Sequence, residues 1–519
     1  MTDISTRSGE TNQTGSTGVG STGVGSTGVG STRPGSSRNG DHRNGHHQYD
    51  LIVIGAGSAG IAAAAAGRRS GARVLMVERA RPGGNSIWTG TVPSKALVAA
   101  GRAAQLMRTA DRFGITPVEP EINFGELMRG IERRITDAAE SAAVDVVTDS
   151  GVDVITGAAA FTGPETISVD GDPYHFAKAV IATGTAPSMP PIPGLFDCTP
   201  LTTDTVWELR FLPSQLTILG GGPTGCELGQ ALSRLGAKVT IIEQADRLLP
   251  KEEPEVSELI TDRLRAEGLE ILVGTSVVRA SRTTGHTRLS ITDKSGDQRT
   301  IEAGRVMITA GRRPVTMGLD LARAGVSLNP AGYIATDDRL RTSNRRIYAA
   351  GDASGDRPLA SLAALDGEVA ASNAVLGSAR TARHDLGPQV IFTDPEVGRI
   401  GHTELSASVL TGGRVNSRTG DGRVDRAIAE NEPVGLTKII SDDHGRLLGA
   451  SVVSPRAGEV ITELATVMQH RGRVTELADV PHAYPTWSDP IWDLAQAARA
   501  ERNPGATVPG RISAAVRKR

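Results

Sequence analysis

The segment YDLIVIGAGSAGIAAAAAGRRSGARVLMVER, Tyr49 to Arg79, decides the fold. The apolar run Leu51–Ile54 is followed directly by Gly55-x-Gly57-x-x-Gly60, then by a stretch of small residues, then by a second apolar run that closes on Glu78. It reads as strand, glycine turn, helix, strand. The first glycine makes the turn and the second lets a pyrophosphate approach the backbone. The third packs helix on strand, and the helix N-terminus faces the phosphates. Glu78 follows about 20 residues on, where a carboxylate can accept from a ribose hydroxyl. A lone GxGxxG carries little information. With strand, helix and acid all in place it marks a dinucleotide site.

The pattern recurs in QLTILGGGPTGCELGQALSRLGAKVTIIEQADRLLP, Gln215 to Pro250. Here Gly220, Gly222 and Gly225 form the turn, and Glu243 ends the second strand. Glu243 can bond a 2′-hydroxyl and would repel a 2′-phosphate, so NADH is expected over NADPH, with Arg247 nearby keeping that preference moderate. Cys226 opens the second helix, where a lowered thiol pKa is one reading; packing under the loop is the simpler one. Two dinucleotide sites in one chain imply electron transfer between two cofactors, and a flavin with a nicotinamide is the common pairing.

The 519 residues allow two or three domains. A net charge of −2 argues against nucleic acid or an anionic membrane as partner. Abundant glycine with only 3 % aromatic residues suits an α/β chain with small-residue packing. Cys198 and Cys226 do not suggest a disulfide framework, so a cytoplasmic location is expected. There is no run of about 20 apolar residues, and Ile61–Gly67 is too short, so no membrane insertion is expected. The N-terminus lacks a basic-then-apolar signal pattern. It carries three copies of STGVG (Ser16–Gly30) and reads as a low-complexity tail, disordered to about Gln48. His42, His46 and His47 read as solvated tail residues, and no metal site is expected.

Further motifs follow in order: AVIATGTAPSMPPIPG (Ala179–Gly194), VMITAGRRP (Val306–Pro314), RRIYAAGDASG (Arg345–Gly355) and FTDPEVGRIGHTE (Phe392–Glu404). With these, the chain from about Tyr49 to Arg499 resembles the class I pyridine nucleotide-disulfide oxidoreductases, the family of dihydrolipoamide dehydrogenase, glutathione reductase and mercuric reductase. The resemblance implies an α/β fold with two Rossmann-type domains, for FAD and for NAD, and a C-terminal α+β dimerisation domain. The expected divisions are a tail at 1–48, an FAD-binding part at 49–187, an NAD(P)-binding domain at 188–311 and a second FAD-binding part at 312–385. A dimerisation domain at 386–499 and a flexible basic tail at 500–519 complete the chain. FAD contacts are expected from Gly55, Gly57, Gly60, Glu78, Lys95, Thr183, Gly184 and Asp352, the last placed like the family's aspartate on the ribityl chain. NAD contacts are expected from Gly220, Gly222, Gly225, Glu243 and Gly311.

The family's redox helix reads GG-x-C-x4-C-x-P-S-K. The chain instead has PGGNSIWTGTVPSKAL, Pro82 to Leu97, with Ser86 and Thr91 at the cysteine positions. A hydroxyl titrates far above a thiol, whose pKa is about 8.5, and forms neither a thiolate nor a disulfide. The family's route to disulfides is therefore expected to be closed, and mercury reduction is disfavoured because the C-terminal GRISAAVRKR has no cysteine. Lys95 is implied near the flavin N5, and Glu227 matches the glutamate that pairs with it. Opposite charges at about 4 Å would hold that lysine protonated.

The family's disulfide reductases carry a His-Pro near the C-terminus and a glutamate five residues beyond the His, whereas its mercuric reductases have a tyrosine there, so this position alone does not decide the substrate. In PHAYPTWSDP, Pro481–Pro490, Tyr484 stands for the His and Asp489 for the Glu. His482 lies two residues earlier and is not the matching position. A tyrosine is a poor base for making thiolates but can donate to a developing oxyanion, which suits a carbonyl or quinone oxygen. Trp88, Trp487 and Trp492 fall in the two segments the family fold brings together across subunits; they either line a flat apolar pocket or fill a retired site.

The expected function is an FAD-dependent NAD(P)H oxidoreductase that passes electrons from reduced flavin directly to a small non-disulfide acceptor, a quinone being favoured. The alternatives are a dedicated FAD/NAD oxidoreductase for one biosynthetic metabolite and a non-catalytic flavoprotein. A homodimer is expected, because Tyr484 would reach only the partner's flavin.

Overall fold

The computed structural model describes residues 47–141, 150–355, 358–432 and 434–502. The STGVG repeats, His42, His46 and residues 503–519 lie outside the described residues.

Leu51, Ile52 and Val53 are fully buried, so strand His47–Ile54 lies inside its sheet rather than at an edge. It pairs in parallel with Val74–Glu78 on one side and with Asp172–Ile181 on the other. Asp153–Thr156 extends the sheet outward, and Ile347–Ala349 returns from much later in the chain onto Asp172–Ile181. Thr166–Val169 and Ala159–Gly163 continue it as an antiparallel flank.

The second parallel sheet repeats this logic. Gln215–Leu219 lies between Lys238–Ile242 and Arg305–Ile308, with Glu270–Leu272 outermost. An antiparallel layer of Ser276–Arg282, Thr287–Thr292 and Gln298–Ala303 accompanies it. The chain leaves the first unit through Thr185–Pro187 and returns through Arg312–Pro314, and these two segments pair antiparallel.

The C-terminal sheet runs in the order Gln389–Ile391, Glu396–Gly401, Leu447–Ser454, Leu436–Ser441, Asn416–Gly420, all antiparallel. Helices Ala457–Gln469 and Asp489–Arg502 cover it, and Ile461, Leu464, Ile491 and Ala495 are buried between them.

Both expected tails are shortened by pairing. His47 and Gln48 belong to the first strand, opposite Tyr174 and His175, because the neighbouring strand supplies hydrogen bonds whatever the polarity of the side chains. The last helix continues to Arg502, where Glu501 meets Arg418 at 2.5 Å and Arg502 donates to the Asp443 carbonyl at 3.1 Å. No described helix is long and apolar enough to cross a membrane.

A buried ion cluster joins the second unit to the C-terminal one. Lys438, on strand Leu436–Ser441, lies 3.2 Å from Glu253, 3.0 Å from Glu255 and 2.7 Å from Glu404. The side chains of Lys438 and Glu253 are each only 3 % exposed, so neither charge can turn to water. Beside them Arg399 meets Glu252 at 2.7 Å. Removing one member of a buried pair strands the other, at a cost of about 3–5 kcal/mol. Lys438→Met is therefore expected to lower the urea midpoint clearly, and adding Glu253→Gln to recover part of the loss. An unchanged midpoint in the single variant would show that the cluster contributes nothing to stability.

Candidate active site

The two glycine turns open onto one continuous cavity of about 1920 Å³, well beyond the roughly 300–1,000 Å³ of an ordinary small-molecule pocket. Gly55, Gly57, Gly220 and Gly222 line it, whereas Gly60 and Gly225 do not. A Cβ on Gly60 would lie 1.8 Å from the Gly55 carbonyl oxygen, and one on Gly225 would lie 2.0 Å from that of Gly220. The third glycine of each turn thus lets the helix seat on its loop, and helices Ser58–Arg69 and Pro223–Arg234 present their N-termini to the cavity. Such a cradle fits a pyrophosphate at each turn.

The two acids have parallel geometry. Glu78 accepts from the Ala56 and Ala80 amides, both at 2.9 Å; Glu243 accepts from Gly221 at 2.7 Å and from Ala245 at 2.8 Å. Each carboxylate is fixed by its own loop yet keeps lone pairs for a ribose hydroxyl. Arg247 also lines the cavity, and one of its terminal nitrogens donates to the Pro250 and Glu252 carbonyls.

Between the turns, helix Thr91–Arg108 crosses helix Pro223–Arg234. The crossing is close because Gly101 faces Ala231, where a Cβ on Gly101 would meet the Ala231 backbone at 3.0 Å. One consequence is the ion pair of Lys95 with Glu227, at 2.8 Å. The other carboxylate oxygen of Glu227 accepts from the Phe392 amide at 3.0 Å, and the Lys95 ammonium lies 4.2 Å from the centre of the Phe392 ring. Three segments far apart in the chain therefore hold one cation at the cavity wall.

Asp352 also faces the cavity. Burial pushes its carboxyl above the usual range, against a hydrogen bond from Thr185 at 3.0 Å. Arg312 donates to the Thr185 hydroxyl at 2.7 Å and to its carbonyl at 2.8 Å, and Asn85 donates to the same carbonyl at 2.7 Å. Thr183, Gly184 and Gly311 line the cavity around this relay. Sequence reading missed Arg312 and Phe392, although both stand inside quoted motifs; their partners are distant in the chain.

Ser86 and Thr91 line the cavity too. Ser86 belongs to the short helix Gly84–Trp88, and its hydroxyl lies 3.4 Å from that of Ser58. Thr91 opens the next helix, one turn before Lys95. Both cysteines are elsewhere and buried. Burial, with the charges of Glu227 and Glu243 adding to it, pushes the Cys226 thiol far above its usual range. A lowered Cys226 pKa is thus overturned, and packing beneath the loop is what the residue does.

Within one chain, Trp88 and Trp487 stand in different surroundings. Trp88 borders the cavity, but its indole donates to the Pro82 carbonyl at 2.7 Å and Arg81 stacks 4.1 Å from its ring centre. Trp487 is buried in the C-terminal core. Trp207, unnoticed in sequence, donates to the Thr89 and Thr203 carbonyls at 2.9 and 2.7 Å and pins the turn between Ser86 and Thr91.

Tyr484 is 65 % exposed on the C-terminal unit. Within the described chain, neither it nor Asp489 is among the residues lining the cavity. The Tyr484 hydroxyl donates to Asp425, whereas Asp489 accepts from the Thr486 amide at 3.3 Å and hydroxyl at 3.1 Å.

Comparison with known proteins agrees with this geometry. A family model described as pyridine nucleotide-disulphide oxidoreductase matches residues 49–369, and the corresponding dimerisation domain matches 387–495. A mercuric reductase of Streptomyces lividans is 37 % identical over 456 residues, covering 86 % of this chain and 96 % of the relative. A dihydrolipoyl dehydrogenase of Thermus scotoductus is 34 % identical over 467 residues, covering 86 % and 97 %. Among solved structures, the Cu(II) complex of the HOCl-induced flavoprotein disulfide reductase RclA from Escherichia coli matches with a TM-score of 0.76 and 27 % identity, over 87 % of this chain and 99 % of that one. The chain belongs to the class I pyridine nucleotide-disulfide oxidoreductase family, whose members are FAD-dependent NAD(P)H oxidoreductases.

Proposed function

We propose that the protein oxidises NADH and delivers the electrons, through FAD, to a small non-disulfide acceptor, with a quinone as the class that fits best. The observation that carries this reading is the contrast around one helix. Lys95 and Glu227 remain paired at 2.8 Å, while the positions of the redox cysteines hold Ser86 and Thr91. The cation that serves the flavin side is kept and the thiol relay is gone.

FAD, held by the Gly55-Gly57 turn, Glu78, Lys95, Thr183, Gly184 and Asp352, would supply the two-electron redox centre that the chain itself lacks. NADH would lie along the Gly220-Gly222 turn and Gly311. Glu243, locked by two amides, meets its 2′-hydroxyl and repels a 2′-phosphate, and Arg247 at the cavity wall keeps that preference moderate. The net reaction takes NADH, a proton and a quinone to NAD⁺ and a hydroquinone. Tyr484 is the proposed proton donor at the acceptor oxygen on the partner's flavin in a two-fold dimer, its hydroxyl turning to that oxygen from Asp425. We assign Asp489 to holding the loop that carries it. A dedicated oxidoreductase for one metabolite is the second reading. It is favoured by the bond from the Tyr484 hydroxyl to the Asp425 carboxylate, a pair that can pass a proton in either direction. A non-catalytic role would not need the Lys95–Glu227 pair.

Two measurements test this. With NADH and a simple naphthoquinone, kcat/KM is expected at about 10⁵ M⁻¹s⁻¹ or above, within the ordinary enzyme range, and Tyr484→Phe is expected to lower it about tenfold or more. Sluggish quinone turnover by an enzyme whose flavin NADH reduces readily would instead favour the metabolite reading. Iodoacetamide added to the NADH-reduced enzyme is expected to leave turnover intact, since Cys198 and Cys226 are buried. Rapid inactivation would sink the thiol-independent mechanism.

A further inference from the structure

We infer that Gln230 and Arg234 are positioning residues for the Lys95–Glu227 pair, because they clamp the loop whose Phe392 amide and ring hold that pair. The inference rests on Lys95 being the cation beside the flavin, as proposed above. Glu227, Gln230 and Arg234 are spaced by three and then four residues on helix Pro223–Arg234, which puts them along one stripe of it. All three bond the same loop, Phe392 to Asp394, in the turn between strands Gln389–Ile391 and Glu396–Gly401.

The contacts differ in kind along the stripe. Glu227 accepts from the Phe392 amide at 3.0 Å. Gln230 grips the Asp394 backbone twice: its carbonyl oxygen accepts from the Asp394 amide at 2.8 Å, and its side-chain nitrogen donates to the Asp394 carbonyl at 2.9 Å. That orientation is fixed by chemistry. A backbone N–H can only donate, and the Glu267 carboxylate, 3.2 Å from the Gln230 nitrogen, can only accept. Arg234 adds a fork, with one terminal nitrogen 2.8 Å from the Asp394 carboxylate and the other 2.6 Å from Glu267. Arg102, on the helix that bears Lys95, also lies 3.9 Å from Asp394. Burial by itself would raise the Asp394 carboxyl, but the Arg234 and Arg102 charges bring it below the usual range.

The Lys95 side chain is long, flexible and 32 % exposed, so holding its ammonium in one place has an entropic cost that its surroundings must offset. Two of its restraints pass through this loop. The Phe392 amide occupies one oxygen of Glu227 and leaves the other for the ammonium, and the Phe392 ring centre stands 4.2 Å from the same ammonium. Gln230 fixes the backbone two residues beyond Phe392. It is only 3 % exposed, so water does not replace its bonds when they are lost.

The test uses the FAD-loaded dimer, with fluorine NMR of protein labelled with fluorophenylalanine, in which Phe392→Leu identifies the resonance. Gln230→Met is expected to shift or broaden the Phe392 resonance and to slow flavin reduction by NADH about tenfold. It should also move the flavin midpoint potential in the negative direction, because a cation held farther away stabilises reduced flavin less. Lys95→Met is expected to move rate and potential the same way and further, and Gln230→Met to add nothing in that background. Arg234→Lys keeps a charge on Glu267 but cannot fork to Asp394, so it should give a smaller shift of the same sign. It carries the test if Gln230→Met is poorly folded, judged by flavin content. An unmoved Phe392 resonance or potential in Gln230→Met while Lys95→Met shifts the potential, or effects that add in the double variant, would overturn the positioning assignment. An unmoved rate and potential in Lys95→Met would instead remove the reading of Lys95 on which it rests.

Discussion

The close crossing of helices Thr91–Arg108 and Pro223–Arg234 is the constraint on which the rest of the site depends. Gly101 against Ala231 lets the two backbones approach, and that approach sets Lys95 within reach of Glu227. A larger residue at 101 would push apart the two units that bear the glycine turns. The ion pair, the Phe392 amide on Glu227 and the shared cavity all follow from this one contact. Hydride-scale chemistry tolerates little error in distance, so a backbone-level contact is a fitting place to set it.

The two dinucleotide units solve the same problem with the same parts. In each, a glutamate at the end of the second strand grips two amides of its own chain, so it is aimed before any ribose arrives. Preorganisation of this kind lowers the ordering cost of binding. The units differ in what adjoins the turn. At the first turn the segment Gly84–Trp88 packs against it; at the second the segment Leu249–Pro254 borders the cavity and is fastened to the C-terminal unit through Glu252 and Glu253.

Ser86 and Thr91 stand at the two cysteine positions of the family motif, and the scaffold around them is in place. Serine and threonine fit where cysteine fits, and the turn between them is still held, by Trp207 donating to the Thr89 carbonyl. What is lost is the low-lying ionisation that makes sulfur a nucleophile and electron carrier. Cys198 and Cys226 stand elsewhere in the chain and are buried, and burial drives the Cys226 thiol away from ionisation.

Much of this was legible in the sequence, because strands, glycine turns and strand-ending acids are local patterns with a local physical cause. The order of the motifs implied the family, and the missing thiols were visible by inspection. Local patterns were silent or misleading wherever the answer lay in a partner distant along the chain. Arg312 matters through Thr185, Phe392 through Glu227, and Tyr484 through Asp425, all at separations that periodicity does not encode. For Trp487 the sequence left pocket lining and volume filling open, and the fold places it in the C-terminal core, since burial is decided by what packs above a residue rather than by its type. The sequence by itself determined the two nucleotide-binding units and the absence of a redox pair, because these depend on residue identity at short spacing. The tertiary structure decided which charges meet, which aspartate the tyrosine hydroxyl bonds and which thiol is sealed, because those depend on three-dimensional packing.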